Sequence, residues 1–224
     1  MAELRLDNAA QADLDRIGQP LQRGPGVLLF AQDEETDFAI FIRKGYVKIT
    51  LGSPDYIVGI RGPEEVVGEM AAIERKPRTA SVYTMTDFDA LLIPADAWLT
   101  FLKDHWLVTQ SMLQLLAARV REYTEKHVES GDLATEQRLA KRLVELAAMI
   151  GTRDEGMITV VISQAELASL AGTRRETVSK LLAKLGPDRR KVGREPVLEP
   201  RRQRIVITGW DELNRIADGR ATIG

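Results

Sequence analysis

Between Pro94 and Gly131 the chain runs for more than thirty residues without a glycine or a proline. A run of this length is too long for an ordinary globular helix unless the helix packs against two partners. The part of the chain before it is interrupted by glycine and proline at short intervals. The change of pattern predicts a β-rich N-terminal part followed by a long helix.

Short apolar runs separated by turn residues fill the first ~95 residues, as is typical of β-strands. In one of them Val47 and Ile49 alternate with Lys48, as residues on opposite faces of a strand do. The predicted strands are at residues 26–30, 37–42, 45–51, 56–60, 79–85 and 89–93, preceded by a short helix at 11–17. Many short strands of this kind predict an antiparallel β-roll of the jelly-roll type, and with the helices that follow an α+β fold.

Apolar residues recur along the predicted long helix with heptad spacing. The rows are Trp106, Leu113, Val120 and His127; Leu102, Thr109, Leu116 and Tyr123; and an adjacent stripe of Val108, Met112 and Leu115. We predict that one face packs on the β-rich part and that the other packs on a second copy of the chain, giving a homodimer with parallel central helices. The alternative is a single helix buried in one core.

Ser130 and Gly131 are poor helix residues, so we expect the long helix to break at 130–132 and a hinge at 130–135. A new amphipathic helix is predicted from Thr135, with Gly151 as its C-terminal cap. The predicted domains are 1–97 (β-roll), 98–131 (central dimerisation helix and hinge) and 132–224 (winged helix-turn-helix).

The segment 162–186 has the pattern of two short helices joined by a tight turn. Ser163 and Glu166 form a capping box, and Gly172 ends the first helix. Two such helices predict a helix-turn-helix, whose second helix enters the major groove of DNA. A strand at 157–162 and a hairpin after the second helix would make it winged.

Charged and polar residues crowd the start of the second helix. Arginine matches the O6 and N7 acceptors of guanine, and glutamate accepts from the N4 amine of cytosine. The remaining lysine and arginine side chains can neutralise phosphates of the DNA backbone. The net charge of −2 hides 14 Lys and Arg against 10 Asp and Glu from residue 151 onward. Double-stranded DNA is therefore the predicted partner. The candidate DNA-binding residues are Ser163, Thr173, Arg174, Arg175, Glu176, Ser179 and Lys180.

The composition excludes several classes of function. Without cysteine the chain has no disulfide, no thiolate nucleophile and no Cys-ligated zinc or iron–sulfur cluster, and its two histidines, His105 and His127, are far apart. We therefore expect no metal and no enzymatic activity. No apolar run reaches the roughly 18 residues of a membrane span, so a cytoplasmic protein that binds no membrane is expected.

The stretch VVGEMAAIERKPRTASV, at residues 66–82, carries a carboxylate and a guanidinium between two apolar runs. Glu69 and Arg78 would either pair with each other to close a turn or hold a ligand with hydroxyls at one end and a phosphate at the other. The spacing alone leaves both possibilities open.

Three segments resemble the CRP/FNR family of bacterial transcription regulators, also called the cyclic AMP receptor protein family. They are GEMAAIERKPRTA (68–80), the long helix as far as EYTEK (122–126), and ISQAELASLAGTRRETVSK (162–180), and the order of elements agrees over essentially the whole chain. The resemblance implies an allosteric regulator that binds cyclic AMP as effector, a palindromic operator with half-sites similar to TGTGA, and RNA polymerase.

The resemblance also implies the role of each residue in the cyclic-nucleotide site. Glu69 would accept from the ribose 2′-hydroxyl and Arg78 would pair with the cyclic phosphate. The remaining ligand-binding residues it implies are Gly68, Met70, Thr79, Ala80, Tyr123 and Thr124, the last two near the base.

Two positions depart from the family pattern. Tyr123 stands where the best-known members carry a small hydroxyl residue, which leaves cyclic GMP or another phosphorylated ligand open beside cyclic AMP. Lys180 replaces an arginine.

There are two alternative functions. One is a regulator that acts without cyclic AMP, and the other is a nucleotide sensor that acts through protein partners.

Overall fold

The computed structural model describes residues 3–53, 56–186, 188, 191 and 193–222, and it describes only the backbone of residues 123 and 126–132. The chain divides into two compact units, residues 1–124 and 125–224. The first unit is a β-roll with helices and the second is a small sheet with helices, so the predicted α+β class is confirmed.

Two antiparallel four-stranded sheets form the roll, in the orders β1-β8-β3-β6 and β2-β7-β4-β5. The strands are β1 (Gln19–Arg23), β2 (Leu28–Phe30), β3 (Phe38–Lys44), β4 (Val47–Thr50), β5 (Ile57–Arg61), β6 (Val66–Val67), β7 (Ser81–Thr84) and β8 (Phe88–Pro94). Helix α1 (Asn8–Ile17) precedes them and helix α2 (Glu69–Glu74) follows β6. Neither β1 nor β6 was predicted, because β1 has only one apolar residue besides Pro20 and β6 is two residues long.

The predicted long helix is divided at His105 into α3 (Ala95–Asp104) and α4 (Trp106–Asp132), so the expectation of one continuous helix from residue 96 is wrong. His105 has φ −118° and ψ 83°, outside the helical region. Its ring lies 4.7 Å from that of Phe101, and its Nε2 lies 3.1 Å from Asp13 Oδ2. These contacts fix the bend where no glycine or proline marks it.

Helix α4 also continues through Ser130 and Gly131 and ends at Asp132. The break was therefore predicted too early, since the cooperative helix tolerates two weak residues in its last turn. The next helix, α5 (Thr135–Ile150), starts where it was expected and is capped by Gly151.

The two faces of α4 are used differently within one chain. Val108, Met112 and Leu115 are buried in the core that also holds Trp98 and Phe101. Leu102 and Leu116, from the second heptad row, pack against the same core. Three residues of the first row are exposed, Trp106 by 67%, Leu113 by 57% and Val120 by 68%, and the side chain of the fourth, His127, lies outside the described residues.

The second unit is built around a four-stranded antiparallel sheet of order β11-β12-β10-β9. Its further elements are β9 (Thr152–Asp154), β10 (Met157–Val160), α6 (Gln164–Leu170), α7 (Arg175–Leu185), β11 (Leu198–Arg201), β12 (Arg204–Ile207) and α8 (Trp210–Ala217). The hairpin of β11 and β12 pairs with β10 and forms the predicted wing. The winged helix-turn-helix architecture is confirmed.

The capping box of α6 forms as predicted, with Ser163 Oγ accepting from Glu166 N and Glu166 Oε2 accepting from Ser163 N. The helix ends at Leu170, two residues earlier than expected. Gly172 lies in the turn with φ 59°, a conformation that glycine adopts without steric cost.

Two buried arginines of α5 hold this turn. Arg138 Nε donates to Ala171 O at 3.0 Å, and Arg142 Nε donates to Leu170 O at 3.2 Å. Carbonyls at a helix C-terminus carry partial negative charge and favour cations. The two side chains therefore fix the end of α6, and with it the start of α7.

Candidate functional site

The Gly68–Glu69 step places the start of α2 against Arg78. Gly68 has φ 75°, and a Cβ atom at this position would lie 2.3 Å from Arg78 Nη1. Because no side chain fits there, only glycine lets the backbone come this close to the guanidinium. The Gly68 carbonyl then accepts a 2.6 Å hydrogen bond from Arg78 Nη1.

Arg78 is almost completely buried, with 1% of its surface exposed. Its Nη2 donates to Phe38 O at 2.6 Å, and its Cζ lies 4.1 Å from the ring centre of Phe30 and 4.6 Å from that of Phe38. Its Nε has no hydrogen-bond partner. The guanidinium is thus held in place by neutral groups.

Among the described residues, the charge of Arg78 is met by two hydrogen bonds and two ring faces and not by an ion pair. Burying an ion costs several kcal/mol, and each hydrogen bond from a charged group offsets about 1.5–3 kcal/mol of that cost. Burial lowers the pKa of Arg78, opposed by the charges of Glu34, Glu69 and Asp37. Within the described residues it makes no ion pair, so an anion at its Nε would find a ready partner.

Glu69 pairs with Arg119 of α4 rather than with Arg78. The distance between Arg119 Nη1 and Glu69 Oε1 is 2.5 Å, and Arg119 Nη2 also donates to Val66 O at 2.6 Å. Glu69 is buried, with 4% of its surface exposed. The possibility that Glu69 and Arg78 close a turn by pairing with each other is therefore not observed. A carboxylate accepts several hydrogen bonds, so Glu69 can also accept from a hydroxyl.

Glu69 belongs to a larger charge cluster, which we define as Arg61, Glu65, Glu69, Arg119 and Glu122. Glu65 Oε1 lies 3.6 Å from Arg119 Nη2 and 3.8 Å from Arg61 Nε. Arg61 Nη1 lies 3.4 Å from Glu122 Oε2. The charge cluster thus connects β5, the residues around β6, and α4.

Burial shifts the pKa values of two residues of the charge cluster toward their neutral forms. It lowers the pKa of Arg119 and raises the pKa of Glu65, the latter opposed by the Gly62 backbone N–H and by Arg61 and Arg119. Arg119 Nε has no hydrogen-bond partner. A second buried guanidinium donor is therefore left unsatisfied near Glu69.

The other ligand-binding candidates differ in exposure. Met70 is 45% exposed, Thr79 is exposed and Ala80 is half-buried. Thr124 is exposed on α4, and its hydroxyl donates to Val120 O at 3.0 Å. The side chain of Tyr123 lies outside the described residues. The structure therefore brings Gly68, Glu69 and Arg78 together.

The DNA-binding candidates lie at the turn and the first half of α7. Arg174 precedes the helix, and Arg175, Glu176, Ser179 and Lys180 are exposed on it, while Val178 and Leu182 are buried. Thr173 is half-buried, and its N–H donates to Ala168 O at 2.9 Å. Ser163 acts as the cap of α6. The described surface of α7 therefore offers cationic, anionic and hydroxyl groups to solvent.

Sequence reasoning missed Arg61, Glu65, Arg119 and Glu122. A signal was present for two of them. The roll-facing stripe Val108, Met112, Leu115 continues by the same spacing of four and three to Arg119 and Glu122. Charged residues where an apolar stripe should continue indicate a buried polar contact.

Taken together, the two units define a class of proteins that joins a nucleotide-binding β-roll to a DNA-binding motif. Residues 21–105 match the family model of the cyclic nucleotide-binding domain, and residues 137–216 match that of the Crp-like helix-turn-helix domain.

Similar proteins narrow this class. The chain is 32% identical over 183 residues to the CRP-like cAMP-activated global transcriptional regulator of Mycobacterium tuberculosis, which covers 80% of this chain and 82% of the relative. It is 29% identical over 185 residues to the cyclic AMP receptor protein of Thermus thermophilus, covering 78% and 83% of the two chains. The chain therefore belongs to the CRP/FNR family, a family of transcription regulators and not of enzymes.

The fold is shared with solved structures of low sequence identity. The global regulator CLP of Xanthomonas campestris superimposes with a TM-score of 0.74 at 21% identity, covering 91% of this chain and all of that one. A CRP-family transcriptional regulator from Thermus thermophilus gives a TM-score of 0.72 at 21% identity, with 91% and 98% covered. Over the described residues, no helix is both long enough and apolar enough to span a membrane.

The buried carboxyl of Glu65 generates a prediction about pH. Its folded-state pKa is raised above the ordinary value of 4.5, so ionisation is easier in the unfolded chain. The free energy of unfolding should therefore fall as the pH rises from about 4.5 through the raised pKa of Glu65. Glu65→Gln, which can still accept from Gly62 N–H, should remove this fall.

Urea unfolding at several pH values, followed by circular dichroism, measures the effect. Glu74→Gln is the control, because Glu74 is exposed on α2. An equal pH slope in the wild-type and Glu65→Gln proteins would contradict the assignment.

Proposed function

We propose that the protein is a homodimeric transcription regulator that binds a cyclic nucleotide, cyclic AMP in particular, and a palindromic operator. The observation that carries the proposal is the Arg78 guanidinium, which is buried without an ion pair among the described residues, has an Nε without a hydrogen-bond partner, and donates to the carbonyl of Gly68, the residue before Glu69. A small ligand with one anionic phosphate and a neighbouring hydroxyl would satisfy both side chains.

In this proposal Arg78 binds the cyclic phosphate, and Glu69 accepts from the ribose 2′-hydroxyl while Arg119 holds its carboxylate in place. Gly68 and Met70 bring backbone groups close, and Thr79 and Ala80 complete the phosphate shell. Tyr123 and Thr124 are the two positions proposed for contact with the base. The cAMP-activated relative from Mycobacterium tuberculosis supports cyclic AMP as the nucleotide.

Replacing Arg78 tests the phosphate role. Arg78→Leu should weaken cyclic AMP binding by at least about tenfold, because a charge-assisted contact to the phosphate is lost. Isothermal titration calorimetry measures the dissociation constant. Arg75→Leu removes an exposed arginine of the same loop and should leave it unchanged. Equal affinity in the wild-type and Arg78→Leu proteins would refute the role.

DNA binding is proposed for the exposed face of α7. Arg175 and Glu176 supply the donor and acceptor for base edges. Lys180 stands at the third base-reading position as a point charge, which relaxes one base preference. The remaining candidates supply contacts to the backbone of DNA, and they are Arg174, Ser179, Thr173 and Ser163. Nucleotide binding then biases the equilibrium toward the DNA-competent arrangement through the segment 130–135. Such a ligand shifts the equilibrium only as far as it prefers that state.

Arg175→Ala should lower specificity for a palindromic duplex with TGTGA half-sites by about 1–3 kcal/mol relative to a scrambled duplex. Fluorescence anisotropy with both duplexes gives the ratio. Lys184→Ala, in the last turn of the same helix, should change both affinities alike. A ratio that survives Arg175→Ala would show that Arg175 reads no base.

The dimer is proposed to form through the exposed row Trp106, Leu113 and Val120 on α4. These residues are seven apart, and each is more than half exposed within one chain. Apolar residues at this spacing form the seam of a coiled coil. Thr124, one turn after Val120, would then lie near the partner helix.

The double substitution Leu113→Glu with Val120→Glu should convert the dimer to a monomer, because four carboxylates would face one another across the seam. Sedimentation velocity measures the mass. Gln114→Glu, exposed on another face of α4, should leave the dimer intact. A dimer that persists in the double variant would place the interface elsewhere.

A further inference from the structure

The charge cluster has an end that the proposed phosphate and ribose contacts do not use. Arg61 and Glu122 lie at this end, where Arg61 Nη1 is 3.4 Å from Glu122 Oε2. Both belong to the N-terminal unit, Arg61 to β5 and Glu122 to α4. Glu122 directly precedes the two positions proposed to lie near the base.

The side chain of Arg61 is held in a defined direction. Its Nη1 donates to Ile60 O at 2.7 Å, and its guanidinium lies over Gly59, where an added Cβ would be 3.1 Å from Nη2. Its ionic contacts, at 3.4 and 3.8 Å, are longer than the roughly 2.7–2.9 Å of a close charge-assisted bond. Arg61 is therefore positioned without being tightly paired to a carboxylate.

The covalent structure of a nucleotide determines which part of it could reach this end. The 2′-hydroxyl and the base are attached to adjacent ribose carbons, and the 3′,5′-cyclic phosphate lies on the other side of the sugar. With the phosphate at Arg78 and the 2′-hydroxyl at Glu69, the base extends away from Arg78. The charge cluster runs from Glu69 through Arg119 and Glu65 to Arg61 and Glu122.

We propose that Arg61 and Glu122 together read the N7–N6 edge of adenine, with Arg61 donating to N7 and Glu122 accepting from the N6 amine. Adenine presents an acceptor beside a donor on this edge, whereas guanine presents two acceptors, N7 and O6. Guanine would bring its O6 against the Glu122 carboxylate. The pair is thus a specificity determinant for cyclic AMP over cyclic GMP, and it rests on the proposed function.

Calorimetry with cyclic AMP, cyclic GMP and 7-deaza cyclic AMP tests the proposal. Wild-type protein should prefer cyclic AMP to cyclic GMP by about 5- to 150-fold, the range of one bidentate base contact. It should bind 7-deaza cyclic AMP about tenfold more weakly than cyclic AMP, because N7 is the acceptor for Arg61. The comparison of cyclic AMP with its 7-deaza analogue uses only the wild-type protein, so a variant that fails to fold cannot affect it.

Two variants separate base reading from a merely structural link between the roll and α4. Glu122→Gln should narrow the ratio of cyclic AMP to cyclic GMP affinity about tenfold, mainly by tighter binding of cyclic GMP, since an amide can donate to O6. Arg61→Met should bind cyclic AMP and its 7-deaza analogue equally. A structural link would instead weaken all ligands alike. Glu125→Gln, exposed one position after Thr124, is the control.

The failures are distinguishable. If the wild-type protein binds none of the three nucleotides, the proposed function and this inference both fall. If it binds them but does not discriminate, or if Glu122→Gln and the 7-deaza analogue leave the affinities unchanged, only the base-reading role is overturned.

Discussion

The guanidinium of Arg78 is buried inside the β-roll, where two backbone carbonyls and two aromatic rings surround it. An arginine in such a place is costly to the fold unless its partners compensate its charge. Several local features follow from accommodating it. Gly68 must lack a side chain, and Phe30 and Phe38 must offer ring faces. Glu69 forms its ion pair with Arg119, so Arg78 remains able to bind an anion.

The faces of helix α4 make different contacts. Val108, Met112 and Leu115 anchor it to the roll, and Arg119 and Glu122 continue that face as charged contacts to the site. Trp106, Leu113 and Val120 remain exposed in a heptad row. A change in the charge cluster on the proposed ligand binding would therefore act directly on the helix that is proposed to form the dimer.

The sequence predicts the overall fold well because its signals are local. The capping box at Ser163, the helix start at Thr135 and the alternation around Lys48 each depend on a few neighbouring residues. The bend at His105 was not predictable, since contacts with Phe101 and Asp13 fix it and no helix-breaking residue marks it.

The site was predictable in part for the same reason. Gly68, Glu69 and Arg78 stand in one short stretch, and the structure brings them together. Arg119 lies fifty residues from Glu69, and Arg61 is on a different strand, so only the tertiary fold shows that they meet. Periodicity along α4 was the one available signal, and it points to a contact without naming the partner.

A crystal structure of the protein bound to cyclic AMP would test the central claim most directly. The account predicts a phosphate oxygen about 2.7–2.9 Å from Arg78 Nε, the length of a charge-assisted hydrogen bond, and the ribose 2′-hydroxyl on Glu69. A nucleotide bound at another place, or an Arg78 Nε that stays without a partner in the complex, would contradict it.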